Sequence, residues 1–559
     1  MLYPKSNQFR DVYSLNGIWT FKGVEDDFLP TKPLKGSPMA VPASYNDLVT
    51  DKTIKNHEGK VAFERTFALP VRDNTVYRLR IGATSHKCDV YVNGEKIGVG
   101  INGFFPIDLP LENLQEENRL TVVIDNRLDS TTLPPGEFKD GRQVIHHDFY
   151  NFTGIHRDVL VYTMPKKHVE DIFIQTVVGG DYSAVSVDVK GEYNEIEYIV
   201  KDMDGNEVVR SKTSQFNVEN PVLWDTENPY LYSLTVKTDT DSYTETFGIR
   251  KVEVKGRQVL LNDKPVYFKG FGLHEDFHLL GKGASSAVNI RNFECLKWIN
   301  ANSIRTSHYP YSEEIMDLAD RYGFMVIDEV PAVGMNRFGL GDMFGEDNMV
   351  NSQTKAIHKT LIRQLYERDK NHPCVVAFSL ANEPNASEDG ALEYLTDIFA
   401  HAREFISLPL VFVNCTEVKS EKCCHLSDFL LINRYYGWYY HHHGEVEDVD
   451  KYLREELEAY AQKYDKPILF SEFGADTIEG NHALPSETFS EEFQMEIIEE
   501  HCKLFDSLDY VIGEHVWAFA DFKTKQGLTR VRGNRKGVFT RERQPKMVAH
   551  LLKKRWQNK

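Results

Sequence analysis

The chain has 559 residues, of which 27% are charged, 41% hydrophobic and 12% aromatic. At about 150 residues per domain this predicts three to four folded units, and it excludes both a single small module and a disordered polypeptide. Asp and Glu outnumber Lys and Arg by 84 to 65, a formal net charge of -19, which disfavours nucleic acid and anionic membrane surfaces as partners.

The opening stretch MLYPKSNQFRDVYSLNG is interrupted by Pro4, Lys5, Arg10 and Asp11 and carries no signal-peptide core. No run approaches the ~20 apolar residues of a membrane span. Seven cysteines, odd in number and mostly within apolar segments, suit reduced buried thiols better than a disulfide framework. Together these features predict a cytoplasmic protein.

Residues 1–165 read as a jelly-roll-like β-sandwich: Leu15 to Phe21, Val90 to Val92, the turn Asn93-Gly94 and Leu120 to Ile124 are short β-branched runs cut by turn residues. Residues 166–255 repeat that style on the scale of an immunoglobulin-like domain, with strands expected at Ile172 to Val177, Ala184 to Val189, Ile196 to Val200, Leu231 to Val236 and Tyr243 to Phe247. Over 256–559 the pattern changes, and strand-length apolar runs alternate with helix-length amphipathic ones. The strands expected are Val266 to Lys269, Ser303 to Arg305, Met325 to Asp328, Val375 to Leu380, Leu410 to Asn414, Leu430 to Asn433, Ile468 to Ser471 and Val511 to Phe519. Helices are expected at 287–300, 312–322, 353–371, 391–406, 449–464 and 490–508. Eight such strands predict a (β/α)8 TIM barrel, whose chemistry lies at the C-terminal ends of its strands.

Two strand ends there deliver carboxylates. The fourth barrel strand runs through Leu380-Ala381 into Asn382-Glu383-Pro384, and the seventh through Phe470-Ser471 into Glu472-Phe473-Gly474. One such glutamate would ordinarily be a solvated loop residue. Two that follow nearly uninterrupted apolar strands suit paired-carboxylate glycoside hydrolysis, which retains configuration when the groups stand about 5 Å apart and inverts when they are roughly 6.5 Å or more apart.

The segments LANEP at 380–384, SEFG at 471–474, RTSHYP at 305–310, FGIRKVEV at 247–254 and NRYYGWY at 433–439 closely resemble glycoside hydrolase family 2 and, within it, the β-glucuronidases, from the first sandwich to the last helix. The resemblance implies Glu383 as general acid/base, Asn382 beside it as a partner of the sugar 2-hydroxyl, and Glu472 as nucleophile. The subfamily signal is Asn534-Arg535-Lys536 in RVRGNRKGVFT, because an Asn-x-Lys pair offers a uronic acid carboxylate a cation and a hydrogen-bond donor. Further sugar contacts are implied at Asp148, His274, Asn433, Tyr435, Tyr439, Trp517 and Arg530, whereas Tyr436, Trp438 and Tyr440 read as packing residues. The resemblance thus implies a retaining, exo-acting β-D-glucuronidase that acts on small-molecule or oligosaccharide β-glucuronides. It implies no cofactor and no metal, and it implies a homo-oligomer, a tetramer by family.

β-Galacturonidase remains open because its substrate also presents a carboxylate, while β-galactosidase would set the Asn-x-Lys pair against a neutral hydroxymethyl group. A rival of another class is a zinc protease, since His274-Glu275-Asp276-Phe277-His278 matches H-E-x-x-H. That chemistry requires a helix, and the flanking glycines argue against one. A carbohydrate-binding protein without activity would be expected to lack one glutamate of the pair. The tract His441-His442-His443 reads as an exposed loop. The short segment 334–353 borders the leaving-group side and leaves aglycone preference undecided.

Overall fold

The computed structural model describes residues 2–440 and 443–559, so His441 and His442 of the histidine tract lie outside the described residues. The first sandwich pairs a four-stranded sheet (Val12–Ser14, Val159–Pro165, Thr75–Ile81, Ile107–Pro110) with a six-stranded one (Ser37–Val41, Gly17–Val24, Lys60–Phe67, Asn118–Asp125, Lys87–Val92, Glu95–Gly100). Trp19, Phe21, Phe63, Leu79, Val122 and Val161 fill the space between them. The Asn93-Gly94 turn is real: both residues have positive φ, 54° and 89°, as a two-residue hairpin loop following the strand twist requires. The second sandwich has sheets of three and four strands, and along Tyr182–Gly191 the buried residues Ser183, Val185 and Val187 alternate with more exposed ones, the period of a half-buried sheet.

A small hairpin sheet (Val252–Lys255, Gln258–Leu261, Lys264–Pro265) leads into a closed parallel barrel. Its strands are β1 (Phe268–Gly272), β2 (Ser303–Arg305), β3 (Met325–Glu329), β4 (Val375–Asn382), β5 (Leu410–Asn414), β6 (Leu430–Asn433), β7 (Ile468–Glu472) and β8 (Val511–Val516). The helices are α1 (Ser286–Trp298), α2 (Glu313–Tyr322), α3 (Ser352–Asp369), α4 (Asp389–Arg403), α5 (Asp448–Tyr464), α6 (Glu491–Asp506) and α7 (Met547–Gln557). The connection from β5 to β6 carries only a single 3-10 turn, Cys424–Leu426.

β1 and β8 depart most from the sequence reading, and packing explains both. β1 extends through Gly270 and Gly272, which resemble loop residues in sequence. A Cβ on Gly270 would lie 2.0 Å from the Ser303 carbonyl oxygen, and one on Gly272 would lie 2.6 Å from the Trp517 ring, so glycine is what lets the barrel close at this seam. β8 ends at Val516 rather than Phe519, because Trp517 and Ala518 donate their N–H groups to Phe473 and Lys536 outside the ladder.

The barrel core is not confined to the barrel. Phe104, Phe105, Leu133 and Phe149 of the first sandwich and Trp224 of the second belong to the same continuous buried cluster as the barrel strands. The Trp224 indole N–H donates to the Asp320 carbonyl at the end of α2.

Candidate active site

At the C-terminal mouth of the barrel lies a cavity of about 370 Å³, large enough for a pyranose and the start of a leaving group. All twelve residues singled out from sequence line it: Asp148, His274, Asn382, Glu383, Asn433, Tyr435, Tyr439, Glu472, Trp517, Arg530, Asn534 and Lys536. Tyr440 lines it too, contrary to its reading as a packing residue.

Glu383 follows the last residue of β4 with φ 49°. Its backbone N–H donates to the Val413 carbonyl at 2.9 Å, and its carboxyl accepts from Asn433 Nδ2 at 2.9 Å. Burial, reinforced by the charge of Glu472, pushes this carboxyl up to about 7 from an ordinary 4.5. Glu472 ends β7 and is held by two donors, the Tyr435 hydroxyl at 2.7 Å and the guanidinium of Arg305. Asn433 lies between the two glutamates: its Nδ2 donates to Glu383, and its Oδ1 accepts from the hydroxyl of Ser471, the residue before Glu472.

Arg305, fully buried at the end of β2, also pairs with Glu329 at 2.8 Å and touches Asn382 Oδ1 at 3.3 Å. Burial alone would raise the Glu329 carboxyl, but Arg305 and His308 hold it below the usual range, and Ser379 donates to it at 2.8 Å. The environments therefore separate: Glu383 is a carboxyl that keeps its proton near neutrality, while Glu472 sits among cationic and hydroxyl donors. Two carboxylates in such different surroundings are chemically equipped for different tasks.

His274 lies among the rings of Phe149, Tyr309, Trp517 and Phe522, with Nδ1 3.0 Å from the Tyr309 hydroxyl. Burial, with the neighbouring charges of His308 and Lys282, moves it well below 6.5, so it faces the cavity uncharged. The segment 274–278 is not helical, and His278 is exposed while His274 is buried. The two histidines do not share a helical face, which removes the zinc-protease reading.

Beside the Tyr435 contact to Glu472, Lys536 is 1% exposed and boxed by the rings of Tyr435, Trp438 and Tyr439, 4.7 to 5.7 Å from its ammonium. Trp438 is thus part of this box rather than packing alone. The ammonium donates to the Tyr439 hydroxyl at 2.8 Å and to Asp476. Arg530 donates to the same hydroxyl at 2.8 Å and to Asp148 at 2.9 Å, and Asn534 Nδ2 donates to Asp148 at 2.8 Å. Partial burial works against the charge on Asp148, but Arg530 and Asn534 hold it below the usual carboxylate range. With both lone pairs of Tyr439 occupied, its own O–H remains to donate. A corner with two cations, an amide and a phenol suits a planar anionic group.

Family comparison covers the chain almost from end to end. Residues 252–559 match the TIM barrel domain of glycosyl hydrolases family 2, residues 12–165 its sugar binding domain, and residues 167–250 a further family 2 segment. The chain belongs to glycosyl hydrolases family 2. Among family 2 proteins it is 41% identical to a β-glucuronidase of Paenibacillus borealis over all of this chain and 98% of that one. It is 37% identical to the human β-glucuronidase over all of this chain and 92% of that one. Of solved structures, an uncultured Clostridium sp. β-glucuronidase superposes with TM-score 0.96 at 43% identity over the full length of both chains. A Ruminococcus gnavus β-glucuronidase in complex with uronic isofagomine superposes with TM-score 0.94 at 37% identity, covering 99% of each chain.

Sequence reasoning missed several residues of this family 2 site. Arg305 and His308 lie in the quoted RTSHYP segment but received no role, and Glu329 and Asp476 are buried partners of site cations. The only sequence signal for the last two was position, each at or just beyond a barrel strand end. Phe338, Asn336 and Cys415 also line the cavity.

Proposed function

We propose that this family 2 hydrolase is a retaining, exo-acting β-D-glucuronidase. The observation that carries the reading is the corner of Lys536, Asn534, Arg530 and Tyr439, a set of donors that is matched to a C6 carboxylate and shares one cavity with the glutamate pair. Glu472 attacks the anomeric carbon while Glu383 gives its proton to the departing glycosidic oxygen, leaving a glucuronyl ester on Glu472. Glu383, now a carboxylate, takes a proton from water, whose oxygen displaces the ester and frees Glu472. Asn382, beside Arg305, is placed to meet the sugar 2-hydroxyl.

We take 1–165, 166–255 and 256–559 as the three domains, and we read the protein as a cytoplasmic homo-oligomer. All seven cysteines are free, six of them buried, which suits a reducing compartment. Among the described residues no helix is long and apolar enough to cross a membrane. The test of the function is hydrolysis of an aryl β-D-glucuronide followed by proton NMR. β-Glucuronic acid is expected as the first product, and α-glucuronic acid appearing first would overturn the assignment.

A further inference from the structure

Asp476 lies four residues beyond Glu472, on the segment by which β7 leaves the barrel, and is 2% exposed. Its two carboxylate oxygens have different tasks. Oδ1 accepts the backbone N–H of Arg535 at 2.7 Å. Oδ2 accepts from the Lys536 ammonium and lies 3.4 Å from Arg530 Nη1. The two segments are laced together elsewhere as well: Thr477 N–H donates to the Arg535 carbonyl at 3.0 Å, and the Gln494 side-chain amide donates to the carbonyls of Ala475 and Lys536.

We propose that Asp476 is a positioning residue for uronate selectivity, which clamps the Lys536 ammonium so that its remaining N–H points at the substrate carboxylate. The proposal rests on the glucuronidase reading above. A lysine ammonium has three donors; Asp476 and the Tyr439 hydroxyl take two, and the third is left for the ligand. A flexible four-carbon stem makes lysine a poorly oriented cation unless something fixes it, and here the aromatic rings enclose the ammonium while Asp476 and the Tyr439 hydroxyl fix its direction. Because Glu472 and Asp476 share one strand exit, the groups that meet C1 and C6 of the sugar are referenced to a single element. A uronic acid is thereby gauged at both ends of its ring by the same stretch of backbone.

Asp476→Asn separates this role from a merely structural one. The amide keeps an oxygen for the Arg535 N–H but turns a donor toward the ammonium, so the fold-supporting contact survives and the clamp does not. Paired aryl β-glucuronide and aryl β-glucoside substrates are compared in wild type, Asp476→Asn, Asp476→Glu, Lys536→Ala and the Asp476→Asn/Lys536→Ala double variant.

For Asp476→Asn, kcat/KM on the glucuronide is expected to fall about 10- to 100-fold, the scale of one charge-assisted contact, chiefly through KM, with a far smaller change on the glucoside. Asp476→Glu keeps the charge and recovers part of the loss. In the Lys536→Ala background Asp476→Asn adds nothing further, since the group it positions is gone. Equal losses on both substrates, or an Asp476→Asn loss that persists undiminished without Lys536, would overturn the proposal. A wild type that does not prefer the glucuronide would overturn the functional reading itself, and the ratio in wild type tells the two failures apart.

Discussion

With its pKa at about 7 instead of 4.5, Glu383 is half protonated at pH 7, where an ordinary glutamate would be protonated in only about one molecule in 300. Its burial is therefore what supplies acid at neutral pH. For a glucuronide with a poor alkyl leaving group, kcat/KM is expected to be level below about pH 6 on this account and to fall roughly tenfold per unit once the pH rises past about 7. Glu383→Gln removes the titrating proton. It is expected to cost roughly 100- to 10,000-fold on the alkyl substrate, and to leave an activated aryl glucuronide with a smaller loss and no alkaline limb centred near 7. The assay is kcat/KM against pH from about 5 to about 9 for both substrates in both proteins. A second measurement isolates one cause: with Glu472→Gln, the Glu383 carboxyl titrated by carbon-13 NMR should move down, because the charge of Glu472 is one of the two influences that raise it. An alkaline limb that survives in Glu383→Gln, or a wild-type midpoint near 4.5, would refute the reasoning.

On the side of the barrel remote from the cavity, His372 Nδ1 lies 2.6 Å from Asp320. Burial opposes its charge, yet Asp320, Asp369 and Asp317 raise it to about 10 from 6.5. The stability this pair contributes is complete below about pH 6.5 and is lost as pH rises through about 10. Asp320→Ala should cost about 3 to 5 kcal/mol by urea unfolding near pH 6 and clearly less near pH 10, and an equal cost at both would refute the ion pair. Phe338, 64% exposed at the rim beside Asn336, is placed to cover an aromatic leaving group. Phe338→Ala should lower kcat/KM for bulky aryl glucuronides about 5- to 30-fold, the scale of about 1 to 2 kcal/mol of ring burial, and should leave methyl glucuronide unchanged; equal losses on both would refute it.

The barrel was legible because parallel strands covered on both faces read as continuous apolar runs, as Val375 to Ala381 does. Glu383 and Glu472 were legible because a carboxylate after such a run has no packing reason to be there. Asn534 and Lys536 became readable only through motif resemblance, since a basic stretch in a loop looks like solvated surface. Arg305, Glu329 and Asp476 gave no comparable signal: their meaning lies in which buried charge each one meets, and those partners are 24, 167 and 60 positions away in sequence. β1 was misplaced by two glycines whose role is close approach between neighbours rather than turning. α7 (Met547–Gln557) went unmarked, although its Trp556 is buried against the ring of Phe271 in β1.

Asp148 reaches the corner of Arg530, Asn534 and Lys536 from the first sandwich, and Phe149 beside it is part of the barrel's own buried cluster. The catalytic barrel is therefore not a removable cartridge. Exchanging the first sandwich between relatives would transplant part of the cavity wall together with part of the barrel's interior, so such chimaeras should change specificity and solubility at once. Substitutions on the two sides of that seam must stay compatible with each other, and drift in one domain is answerable to the other. This gives a physical reason for the three segments to be inherited as one polypeptide and for likeness to relatives to run end to end.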